Sequence, residues 1–244
     1  MLVVGGVFVS VPVFLGRLGM SWDSLNHQVY LGWQAQASRF DEDYMAASLQ
    51  SYQYPYLYWP LYALTALGVS GRVAGVVLAL LHLVVIPPVW LIARTLIPGA
   101  GWRQTVFRVS GVLMSFMSIL VLKSFEVPGN DLLAAAPLLF ALAIALPACS
   151  KFLDGARRTS LRSAGYAGFW AGVSVAFKLS NAYSAIFLPV LFLMAANDSP
   201  LRERVRCSIA CYVLMLIGFV GAYGYWGYRL FQEFGSPLFP FWGG

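Results

Sequence analysis

Charge is what this sequence has least of. Only 11% of its 244 residues are Asp, Glu, Lys or Arg, against about 25% in ordinary soluble domains. A soluble core of this length needs a charged shell, and there are too few charged side chains to make one. Cysteine is scarce too. Cys149, Cys207 and Cys211 lie in or beside apolar runs, which excludes a disulfide framework and leaves small thiols that pack like alanine. Cys207 and Cys211 stand one helical turn apart, but a structural metal site wants about four ligands. The basic residues form no stripe along a polar face, so no nucleic-acid partner is expected.

What the sequence has instead is apolar surface, 59% of its residues, where soluble domains run at about 45–50%. A bilayer-spanning helix needs roughly 20 mostly apolar residues. Stretches 2–18, 73–96, 106–122, 132–149, 164–177, 181–196 and 207–228 qualify. The first has no charged leader and no small-residue cleavage site after it, so it reads as a retained anchor. Pro87 and Pro88 should kink the second span, and His82, one turn earlier, reads as bonded to a neighbouring helix. The chain stops after the aromatic stretch 234–244 without a closing span or polar tail, and reads as a fragment.

The net charge of +6 comes from basic residues in three loops. Arg94, Arg103 and Arg108 form one, Lys151, Arg157, Arg158 and Arg162 the next, and Arg202, Arg204 and Arg206 the last. Pairs of spans separate these loops, so they share one side, which the positive-inside rule makes cytoplasmic. The long polar loop 19–53 then depends on segment 54–68, which is apolar but short, rich in Tyr and Trp, and broken by Pro55 and Pro60. If that segment crosses, there are eight spans and the loop is cytoplasmic. If it dips in and returns, or lies in the interface, there are seven and the loop is extracytoplasmic. Aromatic side chains favour the headgroup zone, which supports seven; a re-entrant backbone must be covered by other helices. The expected fold is an all-α, polytopic integral membrane helical bundle of about seven spans. It forms one transmembrane domain over 1–244, with interfacial loop helices, multi-pass in the inner (plasma) membrane.

This placement gathers loop 19–53 and segments 125–131, 178–181 and 234–244 on the outer face. Within the loop, 21–37 reads as an interfacial amphipathic helix. Trp22, Leu25, Val29 and Trp33 form one apolar stripe, and Asp23, His27, Tyr30 and Gln34 form a row beside it. That row faces water or a cleft. Its carboxylate and imidazole, one turn apart, suit a general base or a possible divalent metal, although a merely solvated face has the same pattern. Asp41, Glu42 and Asp43 are expected to cap a second helix over 44–50. Glu126, Asn130 and Asp131 flank Pro128–Gly129 before a span. There Asp131 either caps the helix or joins Asp23 in a site. Lys178, at an inter-span turn, either snorkels to lipid or contacts a phosphate.

The order of these features resembles that of polytopic C-type (GT-C fold) glycosyltransferases, which use polyprenyl-phosphate sugars. The resemblance rests on Trp22-Asp23 soon after the first span, a Pro-containing approach at Tyr54-Pro55-Tyr56-Leu57, and Gly129-Asn130-Asp131 at the start of a later span. It extends to Phe177-Lys178-Leu179-Ser180-Asn181 at a tight turn and to Gly235-Ser236-Pro237-Leu238-Phe239-Pro240, close to a Gly-Asn-Pro-x-Phe-Pro-like loop of uncharacterised bacterial members. Ser236 stands where Asn is expected, the usual Pro-Pro-Leu approach is only loosely kept, and family members are normally longer. The resemblance implies a cell-envelope hexosyltransferase moving a sugar from a polyprenyl-phosphate donor to an extracytoplasmic glycan or lipid acceptor. It implies Asp23 as the base, Lys178 at the phosphate, and Asp131 with Asn130, His27 and Tyr30 orienting the acceptor or a metal. Tyr54 and Trp59 would stack on sugar faces. The rival readings are a transporter or lipid-linked sugar flippase, whose binding groups usually sit near the midplane, and a non-catalytic assembly subunit.

Overall fold

The computed structural model describes residues 2–125, 127–153, 157–194 and 200–242. Among the described residues, twelve α-helices succeed one another: α1 (Leu2–Leu15), α2 (Val29–Gln34), α3 (Trp59–Ala66), α4 (Gly71–His82), α5 (Ile86–Leu96), α6 (Trp102–Ser115), α7 (Ile119–Lys123), α8 (Asp131–Leu153), α9 (Arg157–Phe177), α10 (Ala182–Ala185), α11 (Leu188–Met194) and α12 (Leu201–Phe234). Apart from the short extended segment Ala46–Leu49, the regular structure described is helical. By length and composition, three helices, Gly71–Leu96, Asp131–Cys149 and Leu201–Phe234, are long and apolar enough to cross a membrane.

Of the remaining expected spans, 164–177 lies within the continuous α9, and the other three are shorter or interrupted. α1 has 14 residues, about 21 Å of helix against a hydrocarbon core of ~30 Å. Stretch 106–122 divides between α6 and α7 around Phe116–Ser118, where the Ser118 hydroxyl accepts from the Val121 amide and caps the second piece. Stretch 181–196 divides between α10 and α11; its residues beyond Met194 lie outside the described ones. Pro87 and Pro88 stand in the first turn of α5, and the chain before them tightens into a 3₁₀ turn over Leu83–Val85. A proline ring cannot sit against the carbonyl four residues back, so the helix tightens ahead of the pair.

The chain forms two compact units. The first comprises Met1–Val84, Leu113–Leu133 and Gly224–Gly244, and the second Val85–Val112 and Ala134–Tyr223. In the first, α1 packs on α4. A Cβ on Gly75 would stand 2.9 Å from Pro12 Cβ, and one on Gly5 would stand 3.2 Å from Leu83. Phe8 is fully buried there, stacked on Phe125 and edge-on to Phe116. The core of the second unit is built from small side chains: Ala141, Ala145, Ala164, Ala167, Ala171 and Cys211. Cys211 and Cys207 are buried, in keeping with thiols that pack like alanine.

Polar loop 19–53 departs from its expected form after residue 34. No second helix forms over 44–50. Met45 (φ 51°) and Ser48 (φ 57°) adopt left-handed backbone, which a right-handed helix cannot contain. The Ser51 hydroxyl instead accepts the Ala47 amide, and a 3₁₀ turn covers Gln50–Tyr52. The acids meant to cap that helix serve elsewhere. Asp43 and Glu42 both bind Arg39, whose guanidinium also lies 4.2 Å from the centre of the Trp33 ring. The loop is fastened by aromatics. Trp226 Nε1 donates to the Tyr52 carbonyl, and Phe40, Tyr52, Phe234 and Phe239 pack ring on ring beside it.

Candidate functional site

The helix carrying Asp23 forms as the sequence pattern predicts, with one change. A π turn over Ser24–Gln28 precedes α2, and its extra residue per turn rotates the helix beyond it relative to the residues ahead of it. The apolar stripe ends up outside, with Trp22 at 73% and Leu25 at 71% exposure, while His27 and Gln34 are buried. In a membrane protein such a helix is inside out, with lipid-loving side chains outward and polar ones inward. Ser24 explains the tight start: its hydroxyl donates to Gln28 Oε1 and meets the Ser21 hydroxyl at 2.8 Å.

Asp23 is the outer member of the polar row. Its side chain is 58% exposed and lies 4.0 Å from Nδ1 of the buried His27. His27 in turn meets the Tyr58 ring edge-on at 6.3 Å. Gly32 permits this approach: a Cβ there would stand 2.5 Å from the Tyr58 carbonyl and 2.7 Å from Tyr62 Cβ. Tyr58 is buried. Burial raises its phenol well above the ordinary range, and the Asp131 and Asp23 carboxylates raise it further. In the first unit, then, His27 meets the Tyr58 ring, and the charges of Asp131 and Asp23 act on its phenol.

Asp131 opens α8, where a carboxylate suits the positive end of the helix. The turn before it is held from beneath. Buried His82 places Nε2 3.0 Å from the Gly129 carbonyl, so that nitrogen carries the proton and donates. His82 is thus bonded, though to the turn ahead of α8 and not to a neighbouring helix. Asn130 is buried beside that turn. Glu126 lies outside the described residues.

The other predicted residues have surroundings of their own. Tyr30 donates to Asp43 at 3.4 Å; burial, then Asp43, pushes its phenol up to about 12. Trp59 begins α3 and is 49% exposed, so it faces outward while its neighbour Tyr58 faces in. Lys178 belongs to the second unit. Its turn there is fixed by Asn181, whose side-chain amide donates to the Ala134 carbonyl and to the Ser174 hydroxyl. Tyr54 keeps aromatic company, its ring 5.2 Å from that of Tyr56, and burial raises its phenol.

Tyr58 is the residue that sequence reasoning passed over. Within Tyr54-Pro55-Tyr56-Leu57-Tyr58-Trp59 it looks like one more belt aromatic, and only its contact with Gly32 separates it from the rest. A divalent metal is poorly matched. Among the described residues, no three His, Cys, Asp or Glu side chains come together as ligands. What the cluster offers is an exposed carboxylate steadied by a buried imidazole, with a second carboxylate and a neutral phenol nearby. That arrangement can accept a proton and orient a hydroxyl. No family model, curated protein or solved structure matches the chain.

Proposed function

We propose that this protein transfers a sugar from a polyprenyl-phosphate donor to a hydroxyl-bearing extracytoplasmic glycan or lipid acceptor, as a polytopic C-type glycosyltransferase would. The observation that carries the reading is the exposed Asp23 carboxylate, held 4.0 Å from buried His27 in the unit where Asp131 also acts on Tyr58. Asp23 takes the proton of the acceptor hydroxyl as its oxygen attacks the anomeric carbon. The bond from that carbon to the phosphate oxygen breaks, its electrons leave with the phosphate, and the configuration inverts. Asp131 and Asn130 orient the acceptor, and Tyr54 and its neighbour Tyr56 flank the sugar. The step uses one base and no metal.

The reading includes seven spans with loop 19–53 outside the cytoplasm. It is supported by α3, whose 8 residues cover about 12 Å and cannot cross ~30 Å of hydrocarbon. In a variant lacking Cys149, Cys207 and Cys211, cysteines placed at Ala37 and Ala100, both exposed, should label from opposite sides of sealed vesicles. Labelling from one side would end the seven-span arrangement.

Asp23→Asn should lower turnover by roughly 10²–10⁴-fold, the usual worth of a general base, while donor binding changes far less. Near-normal transfer by a folded, inserted Asp23→Asn protein would remove Asp23 from the chemistry. Movement of a labelled solute without turnover would favour a transporter.

A further inference from the structure

Arg229 has no task in that reaction, and its surroundings are unusual for a cation at the end of a long membrane helix. It lies in the last turns of α12, half-buried, and its guanidinium donates to the Ser38 hydroxyl of the polar loop. Among the described residues no carboxylate lies within ion-pairing distance of it. Of the acids near Ser38 in sequence, Glu42 and Asp43 are engaged by Arg39, while Asp41, and Glu233 one turn on from Arg229, are exposed. A buried or half-buried guanidinium ordinarily has a carboxylate beside it, because its charge is costly to desolvate alone.

On its inner side Arg229 has aromatic, neutral company. One turn back on the same helix face, Trp226 packs against Tyr56 with ring centres 6.2 Å apart. Tyr56 meets Tyr54 at 5.2 Å. The Tyr56 phenol is pushed up to about 12, first by burial and then by Tyr225 and Tyr54, with Arg229 pulling it partly back. It therefore remains a protonated donor at any ordinary pH. The place thus holds a planar cation with several N–H groups, a serine hydroxyl and a phenol, all able to donate and none carrying negative charge. This donor set fits an oxyanion with several equivalent oxygens, and a guanidinium suits phosphate above other cations.

We propose that Arg229, Ser38 and Tyr56 form a binding site for the phosphate of a lipid. The aromatic rings flank the group that the phosphate carries, and the exposed apolar side chains Tyr225 and Phe231 on the same helix meet its lipid tail. The site does not depend on sugar transfer. It needs only a phosphate arriving from the membrane, either as the headgroup of an ordinary anionic lipid or as a polyprenyl monophosphate.

The test uses the full chain in nanodiscs of phosphatidylcholine doped either with phosphatidylglycerol or with a polyprenyl monophosphate, and reads retained lipid by native mass spectrometry. Wild-type protein should retain the doped phosphate lipid. Arg229→Gln should lose that retention by about tenfold or more, the worth of one charged hydrogen bond, and Arg229→Lys should keep part of it. Arg229→Lys also guards against a fold that tolerates no neutral residue there, and Ser38→Ala adds a milder loss from the opposite partner. Preference for polyprenyl monophosphate identifies a lipid-linked donor or product, and equal retention of both identifies a general headgroup site. Unchanged retention in Arg229→Gln and Ser38→Ala would overturn the proposal. Arg229-dependent retention without any sugar transfer would leave this site standing and remove the transferase reading; the converse would do the reverse.

Discussion

The two units of this protein differ in the balance of what they bury. The interior of the second is rich in alanine and cysteine around Leu188 and Phe192, with helices so close that α9 and α12 touch through backbone. A Cβ on Gly168 would stand 2.0 Å from the Cys211 carbonyl oxygen, and one on Gly172 would stand 1.9 Å from that of Met215. The interior of the first holds His27, His82, Gln34, Asn130, Tyr52, Tyr58 and Trp226. Lipid gives helices no hydrophobic reason to associate, so close packing of small residues is what holds a membrane bundle together. Polar groups placed in such an interior cost free energy unless bonded, and they concentrate where a protein acts. The second unit is therefore built for close approach, and the first holds most of the buried polar groups that the proposed chemistry would draw on.

The comparison is most easily broken in the second unit. Gly172→Ala should be the most disruptive single methyl in the chain, because the obstacle is the Met215 carbonyl and no side chain can move aside. A loss of about 3 kcal/mol or more is expected, at the upper end of overpacking effects. It should appear as a lower unfolding temperature in detergent or poor recovery of monodisperse protein. Gly221→Ala, on the partner helix α12, is the control. Nothing lies within 4 Å of a Cβ there, so the change should be neutral or stabilise by roughly 0.5–1 kcal/mol through helix propensity. Equal effects from the two would mean that α9 and α12 are not held at backbone contact.

The division between the units was only partly legible in the sequence. The apolar runs marked the helices, and the Trp22–Trp33 stripe located an amphipathic helix, because spacing along one element is local information. The π turn over Ser24–Gln28 has no such signature, so the direction in which the polar row faces could not be read. Likewise 106–122 is mostly apolar beyond Arg108, and its break depends on the conformation of Phe116–Ser118 more than on composition. Asp23, His27 and Asp131 were legible as isolated ionisable groups in an apolar chain. Tyr58 and Arg229 were not, because each is singled out only by what a distant part of the chain brings to it.

Tyr58 gives the finest test of the comparison, since its hydroxyl can be removed without disturbing the packing around it. In Tyr58→Phe the ring still meets His27 and the backbone still rests on Gly32. The stability change should stay within about 1 kcal/mol, the net worth of one hydroxyl's hydrogen bonding. If the first unit's interior is built for chemistry, sugar transfer should fall by roughly tenfold, a loss of the size expected for one neutral donor. The pH dependence adds a second readout. Burial and the two carboxylates hold the Tyr58 phenol protonated beyond its ordinary value near 10. It therefore carries no charge across the range in which carboxylates ionise, and losing it should lower the whole rate profile without moving its acid limb. An acid limb that moves would mean that the hydroxyl acts on the base itself. An unchanged rate would make Tyr58 a packing residue like the alanines of the second unit, and the contrast between the two interiors would lose its functional meaning.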